Sequence, residues 1–353
     1  MIVIMNVCIL KNEDADSHTY WQNACQNIGI KFNIVSLIQD DWLRQIEKQE
    51  SQLYLACPTG RENRLKQLYD ERIRILEKHL SCSIYPSPDE ISLHENKRYL
   101  AFFLAANKIG YPNTNVFYDL SEALSFIETA TFPIVAKTNI GASGSGVEII
   151  RDSKHLEKYV QTAFKDGIAR KSGPNLVMGD FTRRFEKLLR EPGRLMRRLK
   201  VYKTVRSERQ KGFVIFQEYI PHTFEWRVVR IGESYFGHKK IKQGDKASGT
   251  KGVEYCPVPE KLLSHVKGIC ERFKFRSMAI DLFEDGKGGY LVNEMQCIFG
   301  HVQTHICELN GKPGRYLFKE GEWIFEEGLF NSNISFDLRL KDALSFYGLV
   351  END

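Results

Sequence analysis

Two acidic residues stand inside what otherwise reads as a β-ribbon, and no other feature of the chain limits its fold so tightly. The stretch "SMAIDLFEDGKGGYLVNEMQ" (277–296) places two apolar runs on either side of a Gly-rich turn, the pattern of an antiparallel hairpin. With the turn centred on Lys287 and Gly288, Asp281 and Glu294 fall opposite each other. Facing residues have Cβ atoms about 4.5–5.5 Å apart, and Gln296, two residues beyond Glu294, shares their side because strand side chains alternate. Two carboxylates so placed repel unless a cation sits between them. Mg²⁺ suits three oxygen donors of this kind, usually with substrate phosphates completing its shell, and Mn²⁺ shares the preference. The plainer alternative is that both acids face solvent on a strand surface.

A second stretch, "FPIVAKTNIGASGSGV" (132–147), gives such a cation something to work with. An apolar strand ends in Lys137 and meets Gly141, Ser143, Gly144, Ser145 and Gly146, where successive backbone N–H groups can cover a polyphosphate. The loop lacks the G-K-[ST] ending of a P-loop, and no G-x-G-x-x-G opens a helix after it. Gly/Ser runs are more often turns or linkers, so loop and metal pair depend on each other for meaning.

Around these two pieces the chain divides readily. Residues 1–90 alternate short apolar runs with helical patterns; in "ENRLKQLYDERIRILEKHL" the residues Leu65, Leu68, Tyr69, Ile73, Leu76 and Leu80 recur at helical spacing. This is a small α/β layer domain, closed by the turn-rich "YPSPDE". A helical pattern, "SLHENKRYLAFFLAANKIG", runs to Gly110, and residues 91–320 form the second unit, with a smaller subdomain over about 130–222. Within it lies a basic insertion, 167–211; the run from Arg183 to Lys211 suits an acidic substrate, a phosphate-bearing carrier or a membrane surface, or simply a solvated helix face. An aromatic tail, 321–353, suggests core packing or contact with a second copy in a homodimer.

Net charge of +5 permits an anionic ligand but is too diffuse for a dedicated nucleic-acid binder. Eight scattered cysteines form no metal or disulfide pattern, which fits a cytoplasmic protein. The apolar opening "MIVIMNVCIL" lacks a basic leader and reads as a buried strand, and no run approaches the length of a membrane span.

Taken in order, Lys97 in "HENKRYL", Lys137 with its glycine loop, "FQEYIP", "EWR", Asp281 in "IDL" and "NEMQ" resemble the ATP-grasp superfamily, over roughly residues 85–310. Among its members the chain is most similar to carboxylate–amine ligases such as ribosomal-protein glutamate ligases and D-alanine ligases. The resemblance implies an α/β (α+β) protein with an ATP-grasp fold behind a small pre-grasp domain. It implies that Lys97, Lys137 and the Gly141–Gly146 loop contact ATP phosphates and that Gln217, Glu218, Tyr219 and Ile220 form the adenine-reading hinge. Glu225, with Glu218 as the other candidate, would meet the ribose. Arg227 and Lys240 would stabilise transferring groups, and Asp281, Glu294 and Gln296 would hold Mg²⁺. Two departures stand out: E-x-Q replaces the usual E-x-N, and Asn96 replaces the usual acid before the first lysine.

The implied reaction phosphorylates a small-molecule carboxylate with ATP and lets an amine attack the acylphosphate, releasing ADP and phosphate. A small-molecule kinase on the same scaffold and a non-catalytic anion- or nucleic-acid-binding module remain the alternatives. Cys297, beside the metal motif, reads as packing rather than as a nucleophile. Lys246 and Ser248 in "GDKASGTKG" are candidates for a substrate loop, and His301 and His305 for structural or substrate-facing roles rather than a zinc pair.

Overall fold

The computed structural model describes residues 6–141, 144–170, 203–205, 207–243, 246–247, 252–299 and 304–350. Its first layer is a parallel sheet. β1 (Asn6–Lys11) lies between β2 (Lys31–Ser36) and β3 (Leu53–Ala56), with β4 (Ile84–Tyr85) beyond β3. Parallel strands are covered on both faces, so β1 and β3 read as unbroken apolar runs rather than alternating ones; Val7 to Leu10 are wholly buried. The crossovers carry α1 (Thr19–Asn27), α2 (Trp42–Glu47) and α3 (Asn63–Leu80). Along α3 the expected face buries Tyr69, Ile73 and Leu76, but Leu80 is exposed because the helix ends there in a left-handed Ser81. Lys66 is buried instead, its Nζ donating to Asp70 and to the Ile91 carbonyl.

The connection to the next layer is not the single helix that the apolar pattern suggests. α4 (Pro88–Leu93) opens with a capping box between Ser87 and Glu90, and α5 (Lys97–Ala106) starts afresh. Asn96 accepts from the Tyr99 N–H and so caps α5, while Glu95 takes a left-handed backbone, φ 50°. A local side-chain cap outweighs the continuing apolar period.

A second, antiparallel sheet follows. It contains β5 (Thr114–Phe117), β6 (Ile134–Lys137), β7 (Val147–Ile150) and, after the two-residue pair β8 (Ile168–Ala169) and β9 (Arg209–Gln210), β10 (Val214–Glu218), in the order β5-β10-β6-β7. Helices α6 (Leu120–Ser125) and α7 (Ser153–Lys165) cover one face, with Ala136, Ile150, Leu156, Val160 and Phe216 in its core. Most of the basic run from Arg183 to Lys211 lies outside the described residues.

The third sheet is the largest. Its strands are β11 (Phe224–Ile231), β12 (Ser234–Gln243), β13 (Lys246–Ala247), β14 (Val253–Glu254), β15 (Ser277–Glu284), β16 (Tyr290–Gln296), β17 (Glu308–Leu309), β18 (Lys312–Lys319) and β19 (Glu322–Glu327). The path β16-β15-β11-β12-β18-β17 sets β11 beside the acidic ribbon, and α8 (Glu260–Arg272) packs beneath. The aromatic tail divides: "EWIFEE" is β19, paired with β18, and α9 (Phe336–Phe346) returns to the first layer, where Phe336 packs edge-on against Trp21 at 4.7 Å.

Candidate functional site

Asp281 does face Glu294, and Ala279 faces Gln296, as the hairpin pattern requires. The turn, however, is not centred where expected. In the outer half Leu282 pairs with Val292, Phe283 with Leu291 and Glu284 with Tyr290, one residue out of step with the inner half. A β-bulge at Asn293 makes up the difference. Bulges re-aim side chains, and this one sends Asn293 across to the second sheet, where Lys137 Nζ donates to its Oδ1 at 2.7 Å and its Nδ2 reaches Glu225 Oε1 at 3.4 Å.

The expected cation between the facing acids is already supplied in part by the protein, and this corrects the sequence argument. Asp281 is 1% exposed and accepts from Arg227 Nε (2.7 Å), Arg227 NH2 (2.8 Å) and Lys240 Nζ (2.6 Å). Lys240 also donates to Glu225 Oε2 at 2.8 Å, and Lys97 Nζ stands 3.4 Å from Glu294 Oε1. Cross-strand pairing explains the convergence: Arg227 lies opposite both Asp281 and His238, and Glu225 lies opposite Lys240, so these side chains share one face of the sheet. Burial works to raise the Asp281 pKa, but Arg227 and Lys240 outweigh it and hold the carboxyl well below the usual range. For Glu294 the same contest against burial is won by Lys97, with Lys240 and Arg227. For Lys137 the balance falls the other way: burial, with Lys97 nearby, outweighs Glu294 and Glu225 and lowers its pKa to about 8.

The glycine loop is tied to the linker. Lys97 Nζ donates to the Gly141 carbonyl at 3.0 Å, and the Gly141 N–H donates to Glu95 Oε2 at 2.9 Å. Gln296 Nε2 donates to Glu95 Oε1 at 3.2 Å and to Glu294 Oε1 at 3.1 Å, so Glu95 joins the loop to the ribbon. Thr138 N–H bonds to the Gly146 carbonyl at 2.8 Å, and a Cβ on Gly146 would lie 1.7 Å from Thr138 Oγ1. Only glycine fits that approach. Gly144 and Ser145 form the return of this hairpin, whereas Ser143 lies outside the described residues.

Between the second and third sheets is a pocket with Leu100, Leu104, Tyr111 and Ile215 on its apolar side and Lys97, Lys137, Gln217 and Asn293 at its polar end. Of the proposed hinge, Gln217 Nε2 donates to Thr114 Oγ1 at 3.1 Å, Glu218 is exposed and accepts from the Asn113 N–H, Tyr219 OH accepts from Lys242, and the Ile220 carbonyl meets His222 Nδ1. Glu225, unlike Glu218, is buried within the charged cluster.

Elsewhere, Cys297 is wholly buried and its thiol pKa is pushed up by that burial, consistent with packing. His305 Nε2 lies 3.4 Å from Glu308 Oε2 and its ring meets that of Tyr255, while His301, Ser248 and the Lys246 side chain lie outside the described residues. Two participants escape sequence reasoning. Asn293 is placed by a bulge that has no marker of its own, and Glu95 by a helix break whose only hint is the capping Asn96.

The donors suit a hard divalent ion. Glu294 Oε2 accepts no hydrogen bond among the described residues, and Gln296 spends its nitrogen on Glu95 and Glu294, which leaves its amide oxygen available. A further oxygen could come only from Asp281, both of whose oxygens here accept from Arg227 or Lys240; carboxylate and amide oxygens are the donors Mg²⁺ takes. Among the described residues no group of three or more His, Cys, Asp or Glu side chains is arranged to hold a metal. No helix among the described residues is long and apolar enough to cross a membrane.

Residues 94–172, which hold Lys97, Lys137 and the glycine loop, match the family model of the RimK-like ATP-grasp domain. A phosphoribosylamine–glycine ligase of Leptospira interrogans is 23% identical over 182 residues, 49% of this chain and 34% of that protein. The chain thus spans about a third of the length of the curated relatives it matches. Two solved structures share the architecture. A RimK-domain ATP-grasp protein of Sphaerobacter thermophilus aligns over 82% of this chain and 90% of its own with a TM-score of 0.51 and 16% identity. The D-alanine–D-alanine ligase of Bacillus anthracis, also solved with ATP, aligns over 98% and 99% with a TM-score of 0.55 and 12% identity.

Proposed function

We propose that this chain, an ATP-grasp protein by its fold, is an ATP- and Mg²⁺-dependent ligase that joins a carboxylate to an amine through an acylphosphate. The observation that carries the reading is the charge balance of the buried cluster. Lys97, Lys137, Arg227 and Lys240 converge with Glu95, Glu225, Asp281 and Glu294, four cations with four acids. A neutral cluster does not attract a free tetra-anion; it accommodates a triphosphate that arrives with divalent charge.

In this reading Lys97 and Lys137 hold the phosphates and the Gly141–Gly146 hairpin covers them. The backbone of Gln217–Ile220 meets the adenine, the apolar wall at Leu100 and Ile215 takes its ring, and buried Glu225 rather than exposed Glu218 is the acid on the nucleotide side. Asp281, Glu294 and Gln296 hold the metal; when bound, Mg²⁺ neutralises phosphate charge and polarises the transferring phosphoryl group. Asp281 grips Arg227 through Nε and NH2, which orients the guanidinium and leaves NH1 for an oxygen of the acylphosphate. As the amine attacks the carbonyl, Arg227 and Lys240 supply fixed positive charge to the developing oxyanion, where pre-organised donors are most effective. No side chain needs to act as a nucleophile.

Incubation with ATP, Mg²⁺ and pooled amino acids and small organic acids tests the reading. ADP should appear with a new amide mass. AMP with pyrophosphate would overturn the acylphosphate route, and a phosphate ester without an amide would identify a kinase. Glu294→Gln should lower turnover at least about 100-fold, as expected for loss of a group acting on the metal.

A further inference from the structure

Arg339 lies on α9, remote in sequence from the site, and is 0% exposed. Among the described residues no acidic side chain pairs with it. Its Nε donates to Ser277 Oγ at 3.0 Å and its NH1 to the Ile334 carbonyl at 3.0 Å, and the guanidinium carbon sits 4.8 Å from the Phe299 ring centre. NH2 is buried without a hydrogen bond. The turn that presents Ile334 has three consecutive left-handed residues, Asn333, Ile334 and Ser335, with φ of 49°, 53° and 59°. A β-branched residue adopts that region only under constraint. An apolar side chain of similar bulk would pack here without the desolvation cost of a charge, so the arginine and its strained turn call for a role.

The hydrogen bonds indicate one. Ser277 is the first residue of β15, and its Oγ donates at 2.7 Å to the carbonyl of Cys297, the residue after Gln296. Its N–H donates at 2.6 Å to Glu90 Oε1, and Glu90, also 0% exposed, accepts the Ser87 N–H at 2.7 Å. Glu90 from α4 and Arg339 from α9 therefore hold Ser277, and Ser277 holds the end of β16. That end is where the ribbon has a choice. Its outer half pairs in one register and its inner half in another, separated by the Asn293 bulge. If the outer register ran through, Asp281 would face Asn293, and Glu294 and Gln296 would turn to the opposite side, because a one-residue slip reverses every side chain.

We propose that Arg339, acting with Ser277 and Glu90, is the register lock of the acidic ribbon, a positioning residue that keeps Glu294 and Gln296 on the same face as Asp281. The link to metal binding rests on the proposed function, whereas the lock is a statement about strand pairing, and two measurements separate them. The first is amide hydrogen exchange over 290–297 in Arg339→Met and Ser277→Ala, both without nucleotide. Exchange there should quicken at least about ten-fold while other central strands of the same sheet keep their protection. The second is the Mg²⁺ concentration giving half-maximal binding of a fluorescent ATP analogue, which should rise about ten-fold or more, as for loss of a group that orients metal ligands. Wild-type exchange rates in both variants would overturn the lock, as would exchange that rises equally across the whole sheet. Faster exchange in the window, with a wild-type protein that shows no Mg²⁺-dependent nucleotide binding, would uphold the lock and overturn the metal reading. Should Arg339→Met fail to fold, Ser277→Ala, which removes a single hydroxyl, decides the matter.

Discussion

Asp281 and Glu294 face each other but do different work. Asp281 is wrapped by Arg227 and Lys240 in a buried setting, so Asp281→Asn leaves two cations short of a partner; loss of one member of a buried pair costs about 3–5 kcal/mol. Glu294 is less enclosed and meets Lys97 at a longer distance, so Glu294→Gln should cost no more than about 1 kcal/mol. Urea unfolding of the two variants should separate by several-fold in lost stability, although both lose metal-dependent nucleotide binding. Lys137 provides a pH test. Its pKa of about 8 in the free protein should rise when phosphates arrive, so binding takes up protons near pH 8 and affinity falls as pH rises through that value. Calorimetry at pH 8.5 in two buffers of different ionisation enthalpy should detect the uptake, and Lys137→Met should abolish it.

At the scale of elements, the glycine loop is bounded by the Gly146–Thr138 approach. Gly146→Ala should weaken nucleotide binding about ten-fold or more, and adding Thr138→Ala, which removes the obstructing Oγ1, should restore part of it. Equilibrium binding of the single and double variants checks this. Here too the reach of sequence reasoning can be judged residue by residue. The run from Val7 to Leu10 gives away a doubly covered strand, and the period of two in "IDL" and "NEMQ" gives away the facing acids. Asn293 does not, because a bulge is decided by how two strands meet, and its side chain finds its use only against Lys137 from another sheet. The start of α5 is hidden by apolar residues that continue the helical period across His94 to Asn96, where one capping bond prevails. Glu225 and Lys240 are visible as charged residues on strands, but that they neutralise each other inside the cluster depends on a pairing no local pattern contains.

At the scale of the molecule, the second and third sheets meet at one charged cluster, and the linker that leads from the first sheet to the second supplies both Glu95 and Lys97. The first layer is completed from the far end of the chain: α9 lies on α1, Phe336 against Trp21, and Tyr85 OH donates to Asp342. Phe336→Ala should therefore cost about 3–5 kcal/mol and should loosen β1 as much as α9, which hydrogen exchange on both segments would register together. Separate responses would mean that the two segments unfold independently.

This closure also bears on synthesis. A ribosome that has released the first hundred residues has released a parallel sheet with an open flank, because the helix that seals Trp21 is encoded more than three hundred positions downstream. Contacts of such long separation form slowly and leave apolar surface uncovered meanwhile. Until α9 has been made, the flank of β1 that Trp21 and Phe336 share stays without its cover.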